Sequence, residues 1–93
     1  MTNTFTATID RFETPCGWHY VPVPAELSLP FKHLAINFGF IAIKAKVGNS
    51  AWDTSLMPKG DGTYIIALPA KVRGKEKLKA GAEIEIAFEP KGA

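Results

Sequence analysis

The chain has 93 residues, a length typical of one small domain. Hydrophobic residues make up 46% and charged residues 22%, which excludes a disordered chain, and the formal net charge of +2 is too small to indicate nucleic-acid or membrane-surface binding by itself. Cys16 is the sole cysteine, so an internal disulfide is excluded, and no apolar run approaches the roughly 20 residues of a membrane span. We therefore predict a single cytoplasmic domain over residues 1–93, with no membrane partner.

The first half of the chain alternates between apolar and polar residues in a way that predicts strands. Residues 4–9 and residues 18–23 have the period of two that is typical of strands with one solvent-facing side, and together they predict a hairpin. Pro24 stands where a helical turn begins. Residues 34–47 predict a long strand with a bend near Gly39, because the apolar residues change parity there.

The second half repeats this order of elements. Residues 51–57 and 63–68 predict two strands, and Pro69 opens a helical segment that extends to about Leu78. The last strand, residues 82–89, is predicted to turn Ile84, Ile86 and Phe88 inward and its glutamates outward. Six strands at this spacing with tight turns predict a small all-β barrel with one or two short helical turns.

The two halves, residues 4–47 and 51–89, resemble each other at the level of sequence. Pro24-Ala25 and Pro69-Ala70 occupy the same place in each, after a strand and before a helical turn. A unit this small cannot bury its apolar face alone, so we predict two related units that share one core about a pseudo-twofold axis. Because the chain would then contain both units, we also predict a monomer.

The second half carries a motif that resembles the swapped-hairpin signature of the AbrB and MazE transcription factors and antitoxins. The matching segments are residues 68–73, Leu-Pro-Ala-Lys-Val-Arg, and residues 78–86, which contain a glycine, an acidic residue and the final strand. Those proteins are homodimers of short chains, whereas two such units lie in this one chain. Arg73 occupies the position of the signature arginine, so the resemblance implies DNA binding as one alternative.

The whole chain resembles a bacterial family catalogued as domain of unknown function DUF1905. The segments that carry this resemblance are 18–24, 52–58, Gly60-Asp61-Gly62, Val72-Arg73 and Gly81. The resemblance implies a double-split β-barrel over nearly all of residues 5–89. The chain departs from the family pattern at Gly81-Ala82, where members usually have Gly-Asp. The family name implies no activity, so the resemblance predicts the fold rather than the function.

A basic segment is the strongest candidate for a site that contacts an anion or a nucleic acid. Its predicted contact residues are Lys71, Arg73, Lys75 and Lys77. Charge alone is weak support, and the alternative that we favour is a solvated surface helix. The corresponding segment of the first half, Glu26-Leu27-Ser28, carries no basic residue. Symmetric binding of a nucleic-acid groove is therefore not favoured, and the partner is left open.

Aromatic residues provide the second candidate site. The four residues concerned are Trp18, Tyr20, Trp52 and Tyr64. We expect all four to belong to the core, because aromatic side chains provide the largest burial per residue in a small domain. The alternative is a ligand groove between the halves, with Trp18 and Tyr20 in its lining and Arg73 beside it.

The sequence offers no convincing catalytic or metal-binding constellation. Cys16 and His19 are close in sequence but lack a third residue to orient the histidine, and His33 is isolated. We therefore predict no catalytic residues, no metal and no cofactor. The favoured function is a non-enzymatic binding or scaffold module. The alternatives are an AbrB-like nucleic-acid-binding protein and a small-molecule binder or enzyme that uses a groove near Trp18 and Arg73.

Overall fold

A computed structural model describes residues 3–12, 18–34, 39–59 and 62–91. The strands are β1 (Asn3–Thr8), β2 (Asp10–Arg11), β3 (His19–Val23), β4 (Ile41–Val47), β5 (Ser50–Pro58), β6 (Tyr64–Ala67) and β7 (Glu83–Pro90). The helices are α1 (Ala25–Ser28), a 3-10 helix (Leu29–Leu34) and α2 (Ala70–Glu76). In the described ranges, every helix is too short or too polar to cross a membrane.

All seven strands belong to one antiparallel sheet in the order β1-β7-β4-β5-β6-β3-β2. The two end strands, β1 and β2, are consecutive along the chain and are separated by Ile9 alone, so the sheet curls into a nearly closed barrel. This confirms the predicted all-β barrel, with seven strands instead of six. The added strand arises at Ile9, whose N–H donates to the carbonyl of Ala82 and whose carbonyl accepts from Gly81, both at 2.8 Å. These bonds mark the end of β1, and the residues that follow, β2, pair with β3.

Two stretches of chain divide their hydrogen bonding between two neighbours. The first stretch is residues 3–11, which pair with β7 through β1 and with β3 through β2. The second is β5, which pairs with β4 from Ser50 to Leu56 and with β6 through Met57 and Pro58. Where the two neighbours diverge, the wall of the barrel opens. One opening lies between β1 and β3, and the other lies between β5 and β6.

The barrel interior is filled by the alternating apolar residues of the strands. In β4, Ile41 and Ile43 are fully buried while the intervening Lys44 is exposed. In β7, the aromatic ring of Phe88 lies edge-on to the rings of Phe5 and Phe31, with centroids 6.2 Å away in both cases. The predicted inward face of the last strand is confirmed, since Ile86 and Phe88 are buried and Ile84 is half-buried.

The predicted strand over residues 34–47 is wrong in its first part. Leu34 ends the 3-10 helix, and β4 begins only at Ile41. Gly39 has a φ of 80°, a left-handed conformation that is incompatible with an extended strand and that glycine adopts without steric cost. Residues 35–38 of the predicted strand lie outside the described ranges.

Each α-helix begins at a predicted proline, although the proline is the N-cap residue and the first helical residue follows it. Pro24 precedes α1 and Pro69 precedes α2, where the missing proline N–H is of no consequence. The second helix ends at Glu76, slightly before the predicted end, because Lys77 adopts a left-handed φ of 56°. The N–H of Leu78 then closes the helix with a bond to the carbonyl of Arg73 at 2.8 Å.

Two of the strand pairings have the register that an internal duplication would require. Val21 pairs with Ile66, and Lys44 pairs with Glu89. In both pairs the partners are separated by as many positions as Pro24 and Pro69. A twofold axis between two related units would bring equivalent positions together in this way. The internal repeat stays a prediction that this register favours.

Candidate functional site

The opening between β5 and β6 contains a pocket of about 290 Å³, here called the Arg73 pocket. Its lining residues are Trp18, His19, Thr54, Ala67, Leu68, Pro69, Ala70 and Arg73. They come from the start of β3, from β5, from the end of β6 and from α2. The pocket therefore joins residues that are distant in the chain at the one place where β5 has left β6.

Trp18 stands at the edge of this pocket with 53% of its surface exposed. Our expectation that it belongs to the core is wrong, whereas Tyr20 and Tyr64 are buried and Trp52 packs half-buried against the core. The reason is its place in the chain, one residue before β3 begins. The Trp18 carbonyl still accepts a bond from the N–H of Phe12 at 3.0 Å, so its backbone is held against the barrel.

Arg73 is half-buried and has its orientation set by the backbone at the end of β6. Its Nε–H donates to the carbonyl of Leu68 at 3.1 Å, and the N–H of Leu68 in turn donates to the carbonyl of His19 at 2.9 Å. No carboxylate of the described ranges forms an ion pair with Arg73. A half-buried cation with no counter-ion among the described residues favours the binding of an anion from solution.

The structure separates Arg73 from two of the predicted basic residues, Lys71 and Lys75. Lys71 and Lys75 are exposed and stand one turn apart on the same flank of α2. Arg73 lies two positions from each, which is about 200° around the helix axis. Lys77 follows the helix in its left-handed conformation and is exposed. The pocket lining thus groups Arg73 with Trp18 rather than with Lys71 and Lys75.

Tyr20, the other residue proposed for the groove, faces a different part of the molecule. Its ring stacks on Phe12 with centroids 4.3 Å apart, and its hydroxyl donates to Asp10 Oδ2 at 3.3 Å. Lys59 Nζ lies 5.6 Å from the centroid of the same ring. These contacts place Tyr20 in the packing beside β2 and outside the lining of the Arg73 pocket.

Sequence reasoning did not assign His19 and Thr54 to a common site. The sequence presents His19 only as a neighbour of Cys16 and Thr54 only as a residue of a predicted strand. No local signal joins them, because each reaches the pocket through strand pairing. Cys16 and the side chain of His33 lie outside the described part of the molecule. Within the part that is described, no three His, Cys, Asp or Glu side chains cluster as metal ligands would.

A second pocket occupies the opening between β1 and β3, and we call it the Pro22 pocket. Its volume is about 690 Å³. Its lining residues are Thr6, Ala7, Thr8, Ile9, Asp10, Arg11, Pro22, Val23, Pro24, Ala80 and Gly81. Its charged residues are Asp10 and Arg11, which are neighbours of opposite sign, and Asp10 Oδ1 accepts a bond from the Arg11 N–H at 2.7 Å. The described residues that line this larger pocket therefore carry no net charge.

The helix that carries Arg73 is anchored to the turn between β4 and β5. Ser50, which is 6% exposed, donates from Oγ to Glu76 Oε2 at 2.6 Å. Gly48 has a φ of 56°, and a Cβ at this position would collide with Glu76 Oε1. The hydrogen bond between Ser50 and Glu76, here called the anchor, uses the sole acidic residue of α2. This anchor sets the position of the helix beside the pocket.

The comparisons with known proteins match one family over the part of the chain that contains both pockets. Residues 5–88 match a family model described as Domain of unknown function (DUF1905). The matched segment includes every residue that lines either pocket. No curated protein matches the chain. The family match thus agrees with the fold, and a function has to be argued from the geometry of the two pockets.

Proposed function

The chain belongs to the DUF1905 family, and we propose that it is a non-enzymatic binding module that takes a small ligand into the Arg73 pocket. One observation carries this proposal: the exposed Trp18 and the half-buried Arg73 line the same pocket. Ligand sites combine apolar or aromatic walls with a few placed polar groups. The volume of about 290 Å³ lies at the lower end of the range of such sites, which supports a small ligand.

The exposure of Trp18 supports a binding role. An indole loses much hydrophobic free energy by facing water, so a tryptophan that is 53% exposed beside a concave wall is a common feature of recognition sites. Ala67, Pro69 and Ala70 provide that wall. A ligand between the indole and this wall would remove apolar surface from water on both of its sides.

The chemistry of the lining supports binding in preference to catalysis. Among the described residues of the lining, Arg73 provides a guanidinium and His19 an imidazole. The other members are a threonine, an indole and aliphatic groups. Such a set recognises shape and charge.

The nucleic-acid alternative receives less support from the same residues. A nucleic-acid surface would need several cations on one face to follow successive phosphates. Lys71 and Lys75 lie on the flank of α2 that is turned away from Arg73. The salt dependence of binding to a single-stranded nucleic acid tests this alternative directly.

The proposed function is tested by titrating the ¹⁵N-labelled protein with a fragment library and following its amide and indole resonances. We expect fragments that shift the Trp18 indole N–H together with the backbone of Leu68 and Arg73. Trp18→Ala and Arg73→Ala should each weaken these fragments by about tenfold or more, since each variant removes one recognition element.

Two matched variants serve as controls. Leu29→Ala removes an apolar side chain that is as exposed as Trp18, at 55%, but lies outside the pocket. Lys71→Ala removes a cation of α2 on the opposite flank. Both should bind the fragments as the unmodified chain does. Fragments that shift only the Pro22 pocket, or that bind Trp18→Ala and Arg73→Ala undiminished, would refute the proposal.

A further inference from the structure

We propose that the ligand of the Arg73 pocket is a small planar aromatic carboxylate, an inference that rests on the proposed function. Three features of the pocket select this class of ligand. They are the edge of the guanidinium that remains for a ligand, the number of cations at the pocket, and the shape of the space beside Trp18.

The hydrogen bond from Arg73 Nε to the Leu68 carbonyl leaves one paired edge of the guanidinium for a ligand. A guanidinium can present two parallel N–H groups either through Nε and one Nη or through both Nη atoms. Because Nε is engaged at 3.1 Å, the edge formed by the two Nη atoms remains. Two parallel donors in one plane match the two oxygens of a carboxylate.

The charge of the pocket matches a monoanion. Arg73 is the sole cation among the described residues of its lining, and Lys71 and Lys75 stand on the opposite flank of the helix. A phosphate monoester carries a charge of about −1.5 to −2 at pH 7 and presents three acceptor oxygens. One guanidinium with Nε engaged cannot satisfy that charge and those acceptors, whereas it satisfies a carboxylate.

The shape and size of the pocket match a single aromatic ring. Trp18 presents an aromatic surface, and Ala67 and Pro69 provide an apolar wall. A flat ring that stacks on an indole gains an attraction beyond the burial of its area. With about 30 Å³ for each water-sized group, a pocket of about 290 Å³ accommodates roughly ten non-hydrogen atoms. A benzoate-sized molecule fills this space.

The test compares three probes that share one ring: benzoate, phenyl phosphate and the neutral benzamide. Each is titrated into the ¹⁵N-labelled chain at constant ionic strength, and the shifts of the Trp18 indole N–H give the dissociation constant. We expect benzoate to bind at least about tenfold more tightly than benzamide, because a hydrogen bond to a charged partner is stronger than one between neutral groups. We also expect benzoate to bind more tightly than phenyl phosphate.

Substitutions assign the preference to Arg73. Arg73→Gln should bring benzoate and benzamide to equal affinity, and Arg73→Lys should recover part of the preference for benzoate, because it restores the charge without the paired edge. Lys71→Gln, the matched control on the other flank, should keep the full preference. The amide spectrum of each variant without probe verifies that it is folded.

The outcomes separate this inference from the proposed function. If phenyl phosphate or benzamide binds as tightly as benzoate, the inferred ligand class is wrong and the binding module stands. If none of the three probes shifts Trp18 while other fragments do, the class is again wrong. If no fragment of any kind binds beside Trp18 and Arg73, the proposed function itself fails.

Discussion

The Arg73 pocket and the Pro22 pocket occupy the two openings of the barrel, and each lies beside a proline that precedes a helix. Each lies where one strand has left its neighbour, and each includes the end of a strand and the proline that follows it. The fourth residue after that proline differs. It is Arg73 in one case, and in the other it is Ser28, which is 1% exposed and donates from Oγ to the carbonyl of Ala25 at 3.2 Å.

The two openings differ in the side chains that line them. The Pro22 pocket is the larger of the two, but its charged neighbours Asp10 and Arg11 are of opposite sign. The Arg73 pocket is smaller and contains one oriented cation beside an exposed indole. The features that point to a ligand at the Arg73 pocket are therefore its side chains, since both openings have a strand end followed by a proline and a helix.

The helices beside the two pockets also differ in how they are held. The first, α1, has four residues and continues into a 3-10 helix that contains Pro30, a residue that cannot donate a helical hydrogen bond. The second, α2, has seven residues and is tied to the β4–β5 turn through Ser50 and Glu76. We therefore expect the position of Arg73 to depend on this anchor.

The largest effect should come from the core residues whose chain neighbours line the two pockets. Val21 and Ile66 are fully buried and pair with each other, next to Pro22 on one side and Ala67 on the other. Ile66→Ala should lower the free energy of unfolding by about 2–5 kcal/mol, because it leaves a cavity in the core. Urea denaturation measures this loss, and hydrogen exchange should rise at both pockets. Faster exchange at only one pocket would contradict a shared core.

A smaller effect, confined to one pocket, is expected at Gly48. Gly48→Ala should lower the free energy of unfolding by about 3 kcal/mol, because alanine is disfavoured at a φ of 56° and its Cβ would displace Glu76. Hydrogen exchange should rise in α2 and leave the Pro22 pocket unchanged.

A glycine in α2 provides the matched control for this substitution. Gly74 has nothing within 4 Å of a Cβ placed on it. Gly74→Ala should raise the free energy of unfolding by up to about 1 kcal/mol, since alanine is the better helix former. Equal destabilisation by the two alanines would show that the collision with Glu76 has no part in the effect.

The smallest effect is expected from the anchor hydrogen bond alone. Ser50→Ala removes the donor to Glu76 Oε2 and should lower the free energy of unfolding by about 1–2 kcal/mol. In a combined Ser50→Ala and Gly48→Ala chain, the loss should be less than additive, because both substitutions break the same contact. Strict additivity in thermal or urea unfolding would show that the two residues act independently.

Local pattern was enough to predict the class of the fold and most of its elements. The alternation of Ile84, Ile86 and Phe88 identified the inner face of β7, because side chains alternate between the two faces of a strand. Pro24 and Pro69 identified the starts of both helices, because proline is favoured there. The pattern misled us around Gly39. The apolar residues change parity there, which predicts a bend within a strand, whereas β4 begins only after Gly39.

The candidate site was decided by the tertiary structure. The pattern around Trp18 suggested a core residue, and the charges around Arg73 suggested a basic patch with Lys71 and Lys75. The periodicity of α2 separates Arg73 from both lysines, and the departure of β5 from β6 opens a pocket in which Arg73 meets Trp18. Local composition cannot encode that meeting, because it depends on the register of strands that are distant in the chain, and this register is set by the packing of the whole barrel.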